Sequence, residues 1–489
     1  MSESRPSVLR RAAIRTLASN WRGSSTVPSP SLYPHQWSWD SAFIAIGLSH
    51  WSQRRAETEL LSLFGGQWRD GRLPAIVFDP SVDEEWYFPG PSFWRSDVIP
   101  GAAPLATSDI VQPPIHARAA LDLLRNAREP ARARAFLQRI YPRLRREHDY
   151  LATRRVVDGS GLAAIVHPWE SGLDNSPSWD APLARVPVDR SLLRRYQRRD
   201  LQHTGSDERP TDDDYARYIR LAARYRDSGY DDSRPRSSVE FLVIDPLFNA
   251  LWAWSEEALA DIAGVIGLDP EPHLRRARCL GEAMTELLFD PELATFTAYD
   301  VLAGSRVPRR TVAGLVPLVL GTLSQGIVRS LTQQLTSVHF GLLDTDIAGI
   351  PSYDLCAPDF DGRGYWRGPT WLNTTWLVWR GLRVHSRDDL AAPLTEAMLE
   401  LAAEAGFREY FDPRTGRGHG TRHFSWSAAL VLDVVQHLSR ADTTTMPVAE
   451  IADDRGEATS GRRHPRHSGR HAGGPPRHRR QSYSERPAW

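Results

Sequence analysis

Only two of the 489 residues are cysteine, Cys279 and Cys356, and none of the 60 basic residues is lysine. Two cysteines so far apart, with no His or Cys at metal-ligand spacing, exclude a disulfide framework and leave a zinc site without support. The all-arginine usage reads as a biased genome rather than as chemistry. No apolar run approaches the roughly 18 residues of a membrane span. The N-terminus, Met1 to Arg11, is basic but has no apolar stretch behind it, so the expected location is the cytoplasm. Net charge is zero, which removes the long-range field that nucleic acid, a membrane surface or an acidic polymer would require. A small or neutral ligand fits better, and a homo-oligomer is compatible with this balance.

What the chain has in quantity is tryptophan, 17 residues. Flat aromatic faces pack in cores, and they also stack on sugar rings. Apolar residues recur at spacings of three and four near 41–50, 53–64, 114–127, 131–153, 239–264, 271–289, 312–325, 328–336, 370–384, 389–405 and 425–439. Period-two alternation is scarce, so an all-α fold is expected, with about eleven helices. The intervening stretches 21–40, 65–113, 159–238 and 340–369 are rich in Trp, Tyr, Pro, Gly and Asp, as loops that present a site are. From about 440 the composition turns to Arg, His, Gly, Ser and Pro, which predicts a disordered tail over 441–489. The organisation expected is an N-terminal segment 1–20, a catalytic domain 21–440 and that tail.

Three segments can carry chemistry. His167 to Asp180 sets three acids around two tryptophans, Glu170 and Asp174 between Trp169 and Trp179 and Asp180 directly after them. Asp174-Asn175-Ser176-Pro177 alone is an ordinary turn. Against indole surface, however, a carboxyl has its pKa raised and can donate a proton near neutrality. Glu409, in Arg408-Glu409-Tyr410-Phe411, lies between aromatics and ahead of a Gly-rich stretch. The plain alternative for it is a solvated helix end followed by a turn. Asp40, in Trp37-Ser38-Trp39-Asp40-Ser41, either caps the helix that follows or accepts hydrogen bonds from neighbouring sugar hydroxyls.

These blocks, with Tyr365-Trp366-Arg367-Gly368-Pro369-Thr370-Trp371 and Glu409-Tyr410-Phe411-Asp412-Pro413, resemble the signature blocks of glycoside hydrolase family 63. The resemblance runs from about Tyr33 to Leu438 and is nearest to the family's bacterial glucosylglycerate and mannosylglycerate hydrolases. It implies an (α/α)6 barrel with long loops over one mouth, and an inverting mechanism with Asp174 as general acid and Glu409 as general base. Inversion needs the carboxyls roughly 6.5–9.5 Å apart, leaving room for a water. By the same resemblance Tyr33, Trp37, Asp40, Gln112, Tyr365, Trp366, Gly368 and Trp371 line the sugar subsite, and Glu170 is counted among the substrate-binding residues. Tyr87 matches a loop residue that closes over substrate, and Arg209 and Tyr215 look like the pair that holds glycerate. Ala75 stands where the resembling enzymes carry His, and 94–109 aligns poorly, so the departures fall in lid loops. No cofactor and no metal are expected. The rivals are a glucosidase or trehalase-like hydrolase of neutral oligosaccharides, a catalytically silent sugar-binding protein, and a nucleic-acid partner acting through the basic tail. Arg209 and Tyr215 argue against the first, since a neutral aglycone has no use for a guanidinium fork. The presence of both carboxylates argues against the second.

Overall fold

The computed structural model describes residues 4–157, 159–191, 205 and 208–444. The chain divides into two units at Ala441, and all that follows concerns the first. The tail expected to be disordered lies outside the described residues from 445 onward.

The core is a ring of helical hairpins. Ser38–Ser49 is buried at every position, and it is followed after three residues by Gln53–Leu63, which buries Ala56, Glu59, Leu60 and Leu63 along one stripe. The same arrangement of a buried helix and an amphipathic partner recurs in His116–Arg125 with Pro130–Tyr150, Pro246–Ile266 with Glu271–Leu288, and Leu372–Val384 with Asp388–Ala405. The buried members pack in succession. Ser38–Ser49 meets His116–Arg125, which meets Pro246–Ile266, which meets the 3-10 turn Val316–Val319, which meets Leu372–Val384. Ser425–Thr444 closes the ring. A Cβ on Gly47 would lie 2.4 Å from the Cα of Ala429, so this crossing requires glycine. On the other side the Trp376 indole donates to Asp433 over 2.9 Å.

The local sequence explains the helix starts. Asp245 caps Pro246–Ile266 by accepting the amide of Phe248, with Pro246 at the first helical position. The periodic stretch 239–264 therefore begins as extended chain, Val243–Ile244, and turns helical only after the cap. The helix expected over 312–325 is not there. Pro317 lacks an amide hydrogen, and the segment forms the short 3-10 turns Val312–Gly314 and Val316–Val319 before Gln325–Thr336 begins. Conversely, Arg5–Asn20 is a helix packed on Asp388–Ala405, and Asp212–Asp227 is a helix inside the stretch read as the loop 159–238. Glu409 stands in a strand, Arg408–Phe411, paired antiparallel with Gly418–Arg422, where a helix end was the plain alternative.

Within the ring, away from the loops, His50 and Trp376 bond Asp433, over 2.7 and 2.9 Å, while Arg118 and Arg380 bond Asp122, over 2.7 and 3.2 Å. The N-terminal ends of the buried helices open into a cavity.

Candidate active site

The cavity lies where the buried helices begin. Asp40 is in the first turn of Ser38–Ser49, Gln112 precedes His116–Arg125, Trp371 precedes Leu372–Val384, and Phe424 and Trp426 flank the start of Ser425–Thr444. Loops complete it with Tyr33, Tyr87, Asp174, Arg209, Tyr215 and Tyr365, around a volume of about 130 Å³. That space is the size of a small molecule.

Glu409 projects from its hairpin and is 1% exposed. Three donors hold it. Tyr33 Oη donates to Oε1 over 2.8 Å, and Oε2 accepts both Arg209 Nη2, over 2.9 Å, and the Thr421 amide, over 3.0 Å. Gly420 must be glycine here, since a Cβ would sit 2.3 Å from Oε2 and the backbone has φ +62°. Arg209 also donates to Tyr33 Oη and stacks on the Tyr365 ring at 4.3 Å.

Asp174 is treated oppositely. Its backbone is fixed by Tyr218 Oη on the carbonyl, and the neighbouring Asn175 accepts the Trp366 amide and donates to the carbonyl of Gly364, tying this loop to the 360s. Burial pushes the Asp174 carboxyl up to about 7; Arg209 pulls it down and Glu409 pushes it up. No side chain among the described residues donates to it. It is therefore a carboxyl that keeps its proton near neutrality and faces the cavity. Asp40 is likewise raised, first by burial and then by Glu409, Glu59 and Asp174. Glu59 lies beneath, accepting from Thr26, Ser41 and Gln36, and burial brings it to about 7.

The walls are aromatic. Trp366 stacks on Trp371 at 3.8 Å and 5°, and Trp371 stacks on Tyr410 at 4.7 Å. Tyr365 adopts φ +58°, which turns its hydroxyl to within 3.4 Å of Tyr33 Oη. Gln112 Oε1 accepts the Trp39 amide. Tyr87 packs edge-on to His35 and Trp37, and Tyr215 donates to the carbonyl of Phe88. Ala75, the departure from the resembling enzymes, forms part of the cavity wall.

Two expected residues lie elsewhere. Glu170 is behind the cavity, fully buried in an ion pair with Arg155 and accepting the amides of Val111 and Val166. It holds the Gln112 loop rather than substrate, because a carboxylate so satisfied has no lone pair to offer. Gly368 is also absent from the lining; its amide bonds Ser352, and a Cβ there would strike Asp361. Conversely, sequence reasoning passed over Trp39, Trp169, Tyr218 and Trp426, all of which line the cavity. Their tryptophan and tyrosine identity was the available signal. Among the described residues one set of potential metal ligands, His339, Asp354 and Cys356, comes together outside the cavity, and there His339 and Asp354 already bond each other over 2.8 Å.

Residues 33–427 match the family model for the mannosylglycerate hydrolase MGH1-like glycoside hydrolase domain. The chain belongs to that family. It is 43% identical over 417 residues to a mannosylglycerate hydrolase of Rubrobacter radiotolerans, covering 85% of this chain and 94% of the relative. It is 37% identical over 440 residues to a glucosylglycerate hydrolase of Mycolicibacterium hassiacum, covering 88% and 98%. A crystal structure of the family 63 mannosylglycerate hydrolase of Thermus thermophilus, in complex with Tris and D-glycerate, superposes with a TM-score of 0.80 at 40% identity, covering 87% of this chain and 99% of that one. The ring described above is thus the (α/α)6 barrel that the motifs implied, and the protein is a glycosidase. No described helix is long and apolar enough to cross a membrane.

Proposed function

We propose that this hydrolase cleaves a glycosylglycerate, glucosylglycerate or mannosylglycerate, to free sugar and glycerate with inversion at the anomeric carbon. Asp174, protonated near neutrality, gives its proton to the glycosidic oxygen as the C–O bond breaks. A water on the opposite face of the sugar forms the new bond to carbon and loses its proton to Glu409. Asp40 and Gln112 take sugar hydroxyls, and the Trp37, Trp366 and Trp371 surfaces bound the ring. Arg209, with Tyr215 and Tyr87, receives the carboxylate of the aglycone, since Arg pairs with carboxylate through a selective fork. The catalytic unit is the stretch 21–440, working on a small molecule in the cytoplasm without a cofactor, with the tail taking no part.

One observation carries the reading. A single cavity holds a carboxyl pushed up to about 7, a carboxylate held by three donors, and a buried guanidinium. Incubation with glucosylglycerate, mannosylglycerate, trehalose and maltose tests it: free sugar is expected from one or both glycerates and little from the neutral disaccharides. A preference for trehalose or maltose would overturn the aglycone assignment.

A further inference from the structure

Arg209 occupies a position that a simple aglycone clamp does not require. Its side chain is 3% exposed, and it bonds Glu409 over 2.9 Å. It leans on Tyr33 and Tyr365, and its charge lowers the Asp174 carboxyl, so the guanidinium bonds one carboxyl of the pair and acts electrostatically on the other. The other two donors to Glu409 belong to the scaffold: Thr421 offers a backbone amide from the paired strand, and Tyr33 is fixed between Trp37 and Phe424. Arg209 instead precedes Pro210, Thr211 and the helix Asp212–Asp227, which presents Tyr215 to the same cavity.

We propose that Arg209 is a substrate-released latch on Glu409, bonded to it until the carboxylate of the aglycone draws the guanidinium away. The inference rests on the glycosylglycerate reading above. While latched, Glu409 Oε2 carries two donors and Oε1 one, which leaves a single lone pair, on Oε1, for an incoming water. Protonation of Glu409 in the transition state would also remove the counter-charge that it gives the buried guanidinium, a costly event in a buried site. A substrate carboxylate removes both obstacles. The guanidinium exchanges one carboxylate for another, remains paired, and leaves Glu409 with Tyr33 and Thr421 as its donors. A neutral aglycone offers no such exchange. The charge on the aglycone therefore governs turnover as well as binding.

Glucosyl and mannosyl fluoride separate these effects. Their C–F bond breaks with fluoride taking the electron pair and needing little protonation from Asp174, so the rate reports on the water and Glu409. Fluoride also leaves the aglycone space open for an added carboxylate. The latch predicts that D-glycerate, and acetate more weakly, raise wild-type turnover of the fluoride saturably, by roughly 5–150-fold. Arg209→Ala should raise the unstimulated rate towards the stimulated wild-type level and no longer respond to glycerate. If wild type cleaves a glycosylglycerate while carboxylates leave fluoride turnover unchanged or only inhibit it, the latch is wrong and the substrate reading stands. If neither glycosylglycerate is cleaved, both fall.

Discussion

Between the helices of the ring Asp433 is bonded by His50 and Trp376 and faced by Arg380; at the cavity Asp40 and Asp174 line the open space. All three are carboxyls shielded by the same barrel. Burial raises Asp433, yet the bond and charge of His50, then Arg380 and Trp376, bring it down to about 2. Burial raises Asp40 and Asp174, and nothing at the cavity outweighs it. The partners, not the depth, decide which carboxyl is structural and which can move a proton. The enzyme stabilises its ring away from the cavity and accepts an electrostatic cost within it, as functional sites generally do.

The largest effect that tests this contrast is on rate. Asp174→Asn and Glu409→Gln should each lower turnover of the glycosylglycerate by about 10²–10⁴-fold. Circular dichroism should show both folded, and Asp174→Asn should melt no lower than wild type. At pH 8 it should melt higher: the folded-state pKa lies above an unfolded value of roughly 3.9, so the destabilising penalty is zero below about pH 4, grows as the unfolded carboxyl alone ionises, and is complete above about 7. Asp433→Asn should do the reverse, losing about 1–3 kcal/mol in denaturant titration while keeping most activity. Its depressed carboxyl stabilises the fold above its unfolded pKa, and that contribution is lost as pH falls towards 2. A third test is the pH profile. Because Asp174 must be protonated to act, kcat/KM should fall on the alkaline side with an apparent pKa near 7, and a flat alkaline limb would remove Asp174 from the acid's role. The smallest expected effect is from deleting residues 445–489, which should leave turnover and melting temperature where they were; a loss of turnover would bring the tail into the catalytic unit.

Much of this was legible in the sequence, and the limits are physical. Helices with one buried stripe declared themselves by period, as Gln53–Leu63 did. The stretch 312–325 carried the same apolar content, but Pro317 and Gly321 broke it into turns. Asp212–Asp227 is signalled by Thr211, which caps it by accepting the Asp214 amide, and by its acidic first turn, but the long polar stretch around it masks the short apolar stripe. Asp40, Asp174 and Glu409 stood out because each lies in an aromatic block. Pairings across the fold had no such signal. Arg155 with Glu170 and Arg209 with Glu409 are separated by 15 and 200 residues, and only the folded chain sets them against each other. For that reason the sequence alone reads Glu170 as a substrate contact and Arg209 as a partner of the aglycone only.

The central claim, that Asp174 and Glu409 act as acid and base from opposite faces of the sugar, is tested most directly by NMR of the freshly started reaction. With the glycosylglycerate that the enzyme cleaves, the first free sugar should carry the anomeric configuration opposite to that of the substrate, and the other anomer should appear only later through mutarotation. A first product with the substrate's own configuration would mean a covalent sugar–enzyme intermediate, and would contradict the assignment of Glu409 as a base acting through water.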